Sequence, residues 1–453
     1  MDAIKNTGES AHQFTGTDLA PRNRTSGDTE PTNRQIAHFM RANTTVSSCP
    51  NALASEADVL LADVLAGVQL PPSQYAVAEQ RYNTLGEWVE RDGSPLKGRV
   101  RRVYGQGGAA QGSSVASRAT NDEFDIDAML ELDPEMDRGP AFVLDLLYHT
   151  VRGEPGSRYY KATTRCTRCV QVQYADKMHV DLTPAILQLG TPARQSTIFH
   201  HRVEEPNNPG KRVTANPFGF TEWFKEQTPP EPLFIIAVDS ARVLVKRAEV
   251  EPLPAQVGAH GMSRALASLQ LIKRFRNLRY DLRDVRCPPS VLLAKLVAGF
   301  RASSPTFAGA LLEHAVALRD RIAYHVKSST YIHETNPSCE ADVLTDRWPG
   351  SGYDQSLWLG DLNHLVRQLY RYVHDEVTLR ERQEILAELF GEHAAGEAVR
   401  AFADRMGRAK ELGESRYQKH TGRLVLPTMA AATISQARAT PQTSFYGGTR
   451  WRD

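Results

Sequence analysis

The chain has 453 residues, which is long for one compact core and favours two or three lobes. Its 54 lysines and arginines nearly equal its 53 aspartates and glutamates, so no global positive field exists to hold duplex DNA or RNA. The N-terminus lacks the apolar core of a signal peptide, and the most apolar stretch is too short to cross a membrane. We therefore expect a cytoplasmic protein that needs neither a membrane nor an obligate nucleic-acid partner.

The five cysteines are scattered, and they are an odd number. This pattern is not that of a disulfide framework and fits a reducing compartment. Cys166 and Cys169 form a single CxxC, and zinc would need Cys287, Cys339 or a histidine alongside them. A pair of ordinary thiols is the more frequent meaning of a single CxxC.

Residues 1–40 are rich in Thr, Asn, Gly and Ser, and we expect them to form a disordered tail because they bury little apolar surface. Helical spacing then predicts two helices in "LASEADVLLADVLAGV" and "SQYAVAEQRYNTLGEWVER". Alternating polar and apolar residues predict strands in "RVRRVY", "FDIDAMLEL", "VQVQYA" and "MHVDLTPAIL". We assign these helices and strands to a core domain, 41–230.

The pattern becomes helical in the second half, as in "SRALASLQLIKRFRNL" and "DLNHLVRQLYRYVHDEV". We assign residues 231–428 to a mainly helical lobe. The last residues, 429–453, resemble the N-terminal segment in composition, and we expect a mobile tail.

Three aspartates are candidate metal ligands. In the strand "FDID", Asp125 and Asp127 point to one face, because successive side chains alternate. Asp181 in "MHVDLTP" offers a third carboxylate. Hard oxygen ligands beside a triphosphate suit magnesium, and paired ions suit phosphoryl transfer. The alternative is an edge strand with a solvated acidic face.

Gly112 and Ser113 precede the aspartates by about a dozen residues and are candidate phosphate ligands. Glycine lets the backbone approach a phosphate closely, and "SVASRAT" after it has the composition to open a short helix whose amides face the anion. A Gly-Ser pair in an ordinary loop is the alternative. The prediction therefore depends on the combination with the aspartates.

The stretch "QGSSVASRATNDEFDID", followed by "HVDLTPA", resembles the hallmark of polymerase β-like nucleotidyltransferases. Downstream, "ANPFGFTEWF", "LQLIKRFRN", "PPSVLLAKLV" and "TNPSCEADVLTDRWP" resemble the bacterial cGAS/DncV-like nucleotidyltransferases, or CD-NTases, of CBASS anti-phage systems. The resemblance runs from about Ser55 to Leu412. It implies an α+β fold in which helices flank a mixed sheet, a helical lobe follows, and the active site lies in the cleft between them.

The resemblance also implies an activity, the joining of ATP, GTP or other nucleoside triphosphates into a cyclic di- or trinucleotide messenger. Two Mg²⁺ ions, with Mn²⁺ as a substitute, would serve the reaction. Asp125 and Asp127 would hold both ions, and Asp181 would hold the catalytic ion. Residues implied to bind nucleotide are Gln111, Gly112, Ser113, Lys273 and Ser290.

Two of these residues have plain structural alternatives. For Lys273 the alternative is a basic helix face that is simply exposed to solvent. For Ser290 it is the first residue of a helix that follows two prolines.

Other functions also fit a polymerase β-like motif. They are transfer of nucleotides to RNA ends or to a small acceptor, and a catalytically silent nucleotide sensor. Family resemblance further implies a messenger-activated effector encoded nearby, and ubiquitin-like conjugation machinery acting on the C-terminal tail.

Overall fold

The computed structural model describes residues 53, 55–69, 72–115, 124–191, 193–245, 261–374 and 377–413. It also describes three short strands that pair with one another, Arg416–Gln418, Leu424–Val425 and Ala437–Ala439. The last of these falls within the tail that the sequence predicts to be mobile. The predicted N-terminal tail, 1–40, lies outside the described residues.

Seven strands form one mixed sheet. They are β1 (Val100–Gly105), β2 (Phe124–Leu132), β3 (Thr163–Arg165), β4 (Val170–Gln173), β5 (Met178–Leu187), β6 (Ser196–His200) and β7 (Lys211–Ala215). Their order is β1-β2-β5-β4-β3, and β6 pairs with the second half of β5 and with β7. Only the β2–β5 pair is parallel among these strands. All four strands predicted from alternation are confirmed.

The sheet has a hydrophobic core on one side. Ile126 and Leu130 of β2 and Val180 of β5 are fully buried in it. Two helices cover this side, namely one that spans Pro72–Val89 and one that spans Pro140–Arg152. Because side chains alternate along a strand, the aspartates between these apolar residues must emerge on the opposite face.

Helices dominate the rest of the chain. In chain order we number them α1 (Glu56–Val68), α2 (Pro72–Val89), α3 (Gly107–Gln111), α4 (Pro140–Arg152), α5 (Pro217–Gln227), α6 (Pro232–Val245), α7 (Arg264–Tyr280), α8 (Ser290–Ala298), α9 (Phe307–Lys327), α10 (Gly352–His374), α11 (Leu379–Phe390) and α12 (Glu392–Glu411). The strands β8 (Thr335–Asn336) and β9 (Cys339–Val343) form a small ribbon between α9 and α10. No helix in the described ranges is long and apolar enough to cross a membrane.

Helix α1 packs with the helical part of the molecule, although the sequence predicts it beside the sheet. Eleven of its thirteen residues are buried, and a helix that is buried on all sides needs helical neighbours around it. Asp63 in α1 forms a buried ion pair with Arg405 in α12. The Tyr372 hydroxyl in α10 donates to the Ala57 carbonyl oxygen at 2.8 Å. The boundary predicted at residues 230 and 231 therefore stays a prediction.

Candidate active site

The three predicted aspartates lie on one face of two neighbouring strands. In the parallel β2–β5 pair, Asp127 is the register partner of Asp181, and Asp125 is the partner of His179. Burial alternates over the first four residues of both strands, so these four side chains point away from the hydrophobic core. The structure brings together the three carboxylates that the sequence places 56 positions apart at the farthest.

Burial and mutual repulsion disturb the ionisation of Asp127. Burial raises its pKa, and the charges of Asp181 and Asp125 raise it further, to about 7. The ammonium group of Lys273 acts in the opposite direction. Asp125, by contrast, keeps 64% of its side-chain surface exposed. The more buried side of the site is thus at Asp127, and the solvent-exposed side is at Asp125.

Asp181 is held by two side-chain donors. The Gln171 amide donates to its Oδ1 at 2.9 Å, and the Cys169 thiol donates to its Oδ2 at 3.4 Å. Burial raises the pKa of Asp181, while these two hydrogen bonds lower it. Cys166 and Cys169 are free thiols on the turn between β3 and β4. One member of the CxxC therefore contacts a predicted catalytic carboxylate.

The backbone beside Asp127 contains two closely approached glycines. Gly107 has φ +58°, and a Cβ placed there would stand 2.6 Å from the Asp127 Oδ2. A Cβ on Gly108 would stand 3.2 Å from the Lys273 Nζ. Both residues open α3, a five-residue helix that is followed by Gly112 with φ +69°. The site therefore requires glycine at positions that the sequence patterns did not identify.

The helix predicted in "SVASRAT" does not begin at its first two residues. Ser114 and Val115 are not helical, and Val115 bridges to Gln69. Gly112 in the left-handed conformation turns the chain away from a helical path at this point. The rest of the predicted helix lies outside the described residues.

Ser113 is completely buried, and α7 holds its backbone. The Lys273 ammonium donates to the Ser113 carbonyl oxygen at 2.7 Å and to its Oγ at 3.3 Å. The Ser113 hydroxyl in turn donates to the buried Gln111 side chain at 3.2 Å. The Gln270 amide binds the Gly112 carbonyl oxygen at 3.1 Å. The structure thus joins Gln111, Gly112, Ser113 and Lys273 in one network.

Ser290 belongs to a neighbouring contact. It is the first residue of α8, and its Oγ accepts a hydrogen bond from the Arg276 guanidinium at 3.0 Å. Arg276 is buried, also donates to the Pro288 carbonyl oxygen at 2.7 Å, and feels the charge of Asp125. It lies one helical turn beyond Lys273. Sequence reasoning named Lys273 but missed Arg276, although the three-residue spacing of the two basic residues on one helix was an available signal.

Lys273 is buried next to another cation. Burial and the charge of Arg276 lower its pKa to about 7, although Asp127 and Asp125 favour the charged form. A phosphate near this amine would restore its charge, because an anion stabilises the ammonium form.

The three carboxylates do not by themselves form a complete metal-binding site in the described residues. In the described part of the chain, no three His, Cys, Asp or Glu side chains are arranged to hold an ion. The donor chemistry nevertheless fits magnesium, because all three groups are hard oxygen ligands. Their repulsion raises the pKa of Asp127, and a bound cation would relieve that repulsion.

A family model described as "Second Messenger Oligonucleotide or Dinucleotide Synthetase domain" matches residues 58–227. The chain is also similar to the solved structure of the Bradyrhizobium diazoefficiens CD-NTase CdnG in complex with GTP, with a TM-score of 0.66 and 31% identity. That match covers 77% of this chain and 100% of the other. The curated cyclic dinucleotide synthase CdnG of the same organism is 32% identical over 387 residues, which are 84% of this chain and 92% of the relative. The chain belongs to the CD-NTase family.

A more distant relative is the c-di-GMP synthase of Roseivirga ehrenbergii, which is 19% identical over 409 residues, 87% of this chain and 99% of the relative. Family membership makes the chain a nucleotidyltransferase that synthesises a cyclic oligonucleotide messenger. The mixed sheet with flanking helices, predicted from the sequence, is confirmed. The individual roles of the site residues stay predictions.

Proposed function

We propose that the chain condenses nucleoside triphosphates, GTP among them, into a cyclic dinucleotide. The observation that carries the proposal is the set of three carboxylates on one face of β2 and β5, beside the buried network of Lys273 and Ser113. The relatives named as cyclic dinucleotide and c-di-GMP synthases, and the GTP-bound structure of CdnG, support the product and the substrate.

The donor triphosphate binds where Lys273 meets the Gly112-Ser113 turn. The Lys273 amine and the Ser113 hydroxyl exchange their present partners for phosphate oxygens, since charge-assisted hydrogen bonds are the stronger ones. Arg276 adds positive charge one helical turn away. The phosphates thus lie against α7 while the α-phosphate faces the carboxylates.

Asp181 receives the acceptor nucleotide. Its carboxylate accepts the proton of the attacking ribose hydroxyl as that oxygen forms a bond to the α-phosphorus and pyrophosphate leaves. Burial raises the pKa of Asp181 and favours proton uptake. Gln171 and Cys169 fix the orientation of the carboxylate. A second round at the same site closes the ring.

Magnesium would be held by Asp125, Asp127 and Asp181. Two ions, for which manganese could substitute, would neutralise phosphate charge and lower the pKa of the attacking hydroxyl. The chain's own contribution is to keep the three carboxylates on one face despite their repulsion, which requires the parallel register of β2 and β5.

The test is the double variant Asp125→Asn/Asp127→Asn, assayed with all four triphosphates by mass spectrometry. Synthesis should fall at least about a hundredfold, because both metal-binding charges are removed. The melting temperature of the metal-free protein should not fall, since the substitution removes like-charge repulsion. Asp176→Asn is the matched control, because Asp176 pairs with Arg81 outside the site. A double variant that is folded and fully active would overturn the proposal.

The competing functions give different products in the same assay. A cyclic product that resists phosphatase supports the proposal, whereas extension of added RNA or modification of a small acceptor supports simple nucleotidyl transfer. Binding of triphosphate without turnover supports a sensor.

The proposal extends, through the family resemblance, to cytoplasmic anti-phage defence with a nearby effector and conjugation at the C-terminal tail. Removing the last residues of the chain tests the tail in cells that carry the conjugation machinery. Unchanged phage protection would exclude a role for the tail.

A further inference from the structure

A cavity with an unusual charge is lined by residues other than those assigned above to the metal and donor-phosphate sites. Its volume is about 360 Å³, which is in the range of small-ligand sites. Five cationic side chains line it, namely Arg168, Arg202, Lys211, Arg286 and Arg347. Asp346 is the only carboxylate among the lining residues, so the lining carries a formal net charge of +4 with histidine neutral.

Most of this charge is uncompensated within the cavity. Asp346 forms an ion pair with Arg168, and Arg202 pairs with Glu205 at 3.0 Å. For Arg286, Arg347 and Lys211, the described residues provide no carboxylate at ion-pair distance. A group of cations left this close together repels itself unless an anion binds between them.

The pKa values of two lining residues, Arg347 and His200, are lowered in part by the neighbouring positive charges. Burial and the charges of Arg286 and Arg168 lower the pKa of Arg347. Burial, then Arg168 and Lys211, lower the pKa of His200 to about 4. His200 is therefore neutral at pH 7, and its Nδ1 accepts a hydrogen bond from the Arg168 Nε at 3.1 Å.

Two chain segments connect the cavity to the active site. Arg168 precedes Cys169, whose thiol binds Asp181. Arg286 lies four residues before Ser290. None of the residues in the Ser113–Lys273 network lines the cavity. The cavity is thus a second cationic region, connected to the active site through the chain segments that carry Arg168 and Arg286.

We propose that this basic cavity binds the polyphosphate group of a nucleotide, separately from the donor phosphates at Ser113 and Lys273. Arginine recognises phosphate oxygens in pairs, and four arginines line the cavity. The near-zero charge of the whole chain argues against a long nucleic acid as the occupant. The polyphosphate belongs either to the acceptor nucleotide, a source that rests on the proposed function, or to a separate nucleotide effector.

The test uses the full chain and the variant Arg286→Ala/Arg347→Ala, with Arg380→Ala as the control. Arg380 is an exposed arginine that pairs with Glu384 on α11 and does not line the cavity. Inorganic tripolyphosphate is titrated by calorimetry at fixed salt and magnesium. The full chain and the control should bind two ions per chain, and the double variant one. Arg286→Gln/Arg347→Gln repeats the test with side chains of similar polarity if the alanine variant fails to fold.

The stoichiometry separates failure of this inference from failure of the proposed function. If the double variant still binds as many ions as the full chain, the cavity proposal is wrong. If the full chain binds one ion and the double variant none, the cavity binds phosphate and the donor site proposed at Lys273 does not.

Kinetics then distinguish the two sources. For an acceptor triphosphate, the double variant should raise the KM for GTP about tenfold or more and leave the KM for guanosine as acceptor unchanged. If the cavity binds a separate nucleotide effector, the double variant should lose one bound tripolyphosphate ion, while both of its KM values should equal those of the full chain.

Discussion

At the scale of single residues, the predicted phosphate ligand Ser113 already has partners. Its hydroxyl bonds Gln111, and its carbonyl and hydroxyl oxygens receive Lys273. A donor triphosphate therefore competes with contacts inside the protein. Part of its binding free energy compensates for breaking them, since an unpaired buried polar group costs roughly 1 to 3 kcal/mol.

Cys169 is a positioning residue for Asp181, and Cys169→Ala tests this role. Removing the thiol donor should raise the pKa of Asp181, because the hydrogen bond lowers it. A raised pKa leaves less carboxylate in acid, so the acidic limb of the rate profile should move to higher pH. On the acidic limb the rate at a given pH should fall about threefold to tenfold, while the plateau at higher pH is retained.

Cys169→Ser supplies the control for that measurement, because a hydroxyl can donate to the same carboxylate oxygen. Its acidic limb should stay near that of the unsubstituted chain. An unmoved limb in Cys169→Ala would show that the thiol does not set the ionisation of Asp181.

At the scale of elements, α3 brings the backbone against Asp127, and Gly107→Ala tests that approach. The substitution adds backbone strain at φ +58° and places a Cβ 2.6 Å from the Asp127 Oδ2. We expect a loss of about 1 to 3 kcal/mol in the free energy of unfolding by urea. Synthesis should fall as well, because the carboxylate must move.

Gly93→Ala is the matched control. Gly93 has a similar φ of +78°, but a Cβ there meets nothing within 4 Å. It should lose stability through strain alone and keep its specific activity. Equal activity losses in both variants would contradict a local effect on Asp127.

At the scale of the whole molecule, the sequence predicted more of the sheet than of the site. The alternation around Asp125, Asp127 and Asp181 was sufficient to place all three on one face, because strand geometry fixes the direction of each side chain. It did not reveal Gly107, because a glycine's φ angle and close neighbours depend on the folded backbone.

The missed residues share a dependence on tertiary structure. Arg276 meets Ser290 only when α7 packs beside α8, and the basic cavity combines side chains from five separated segments. Helical periodicity identified α1 as a helix, but its burial on all sides decided which neighbours it has.

The ion pair between Asp63 and Arg405 joins the first numbered helix to the last, and Arg405→Ala tests its contribution. Removing one partner of a buried pair should lower the free energy of unfolding by about 3 kcal/mol at pH 8. Arg400→Ala on the same helix is the control, since Arg400 is exposed and paired with Glu397. It should cost less than about 1 kcal/mol.

The loss in Arg405→Ala should depend on pH. Burial raises the pKa of Asp63 to about 6 even with Arg405 present, and removing the arginine raises it further. A carboxyl group whose pKa is higher in the folded state than in the unfolded state stabilises the fold at low pH. This contribution is complete below the pKa of the unfolded state and is lost as the pH rises through the pKa of the folded state. The destabilisation should therefore shrink as the pH falls from 8 toward 4, and a constant loss across this range would exclude Asp63 as its origin.

The sequence separation of this ion pair affects the order in which its two helices become available during translation. Asp63 and Arg405 are 342 positions apart, so a ribosome adding about 5 to 20 residues per second completes α12 roughly 20 to 70 s after α1. During that interval α1, with eleven residues that the finished protein buries, has no α12 to pack against. The nascent chain thus leaves the part of α1 that packs against α12 uncovered until α12 has been synthesised, while the sheet has all seven of its strands once residue 215 has been added.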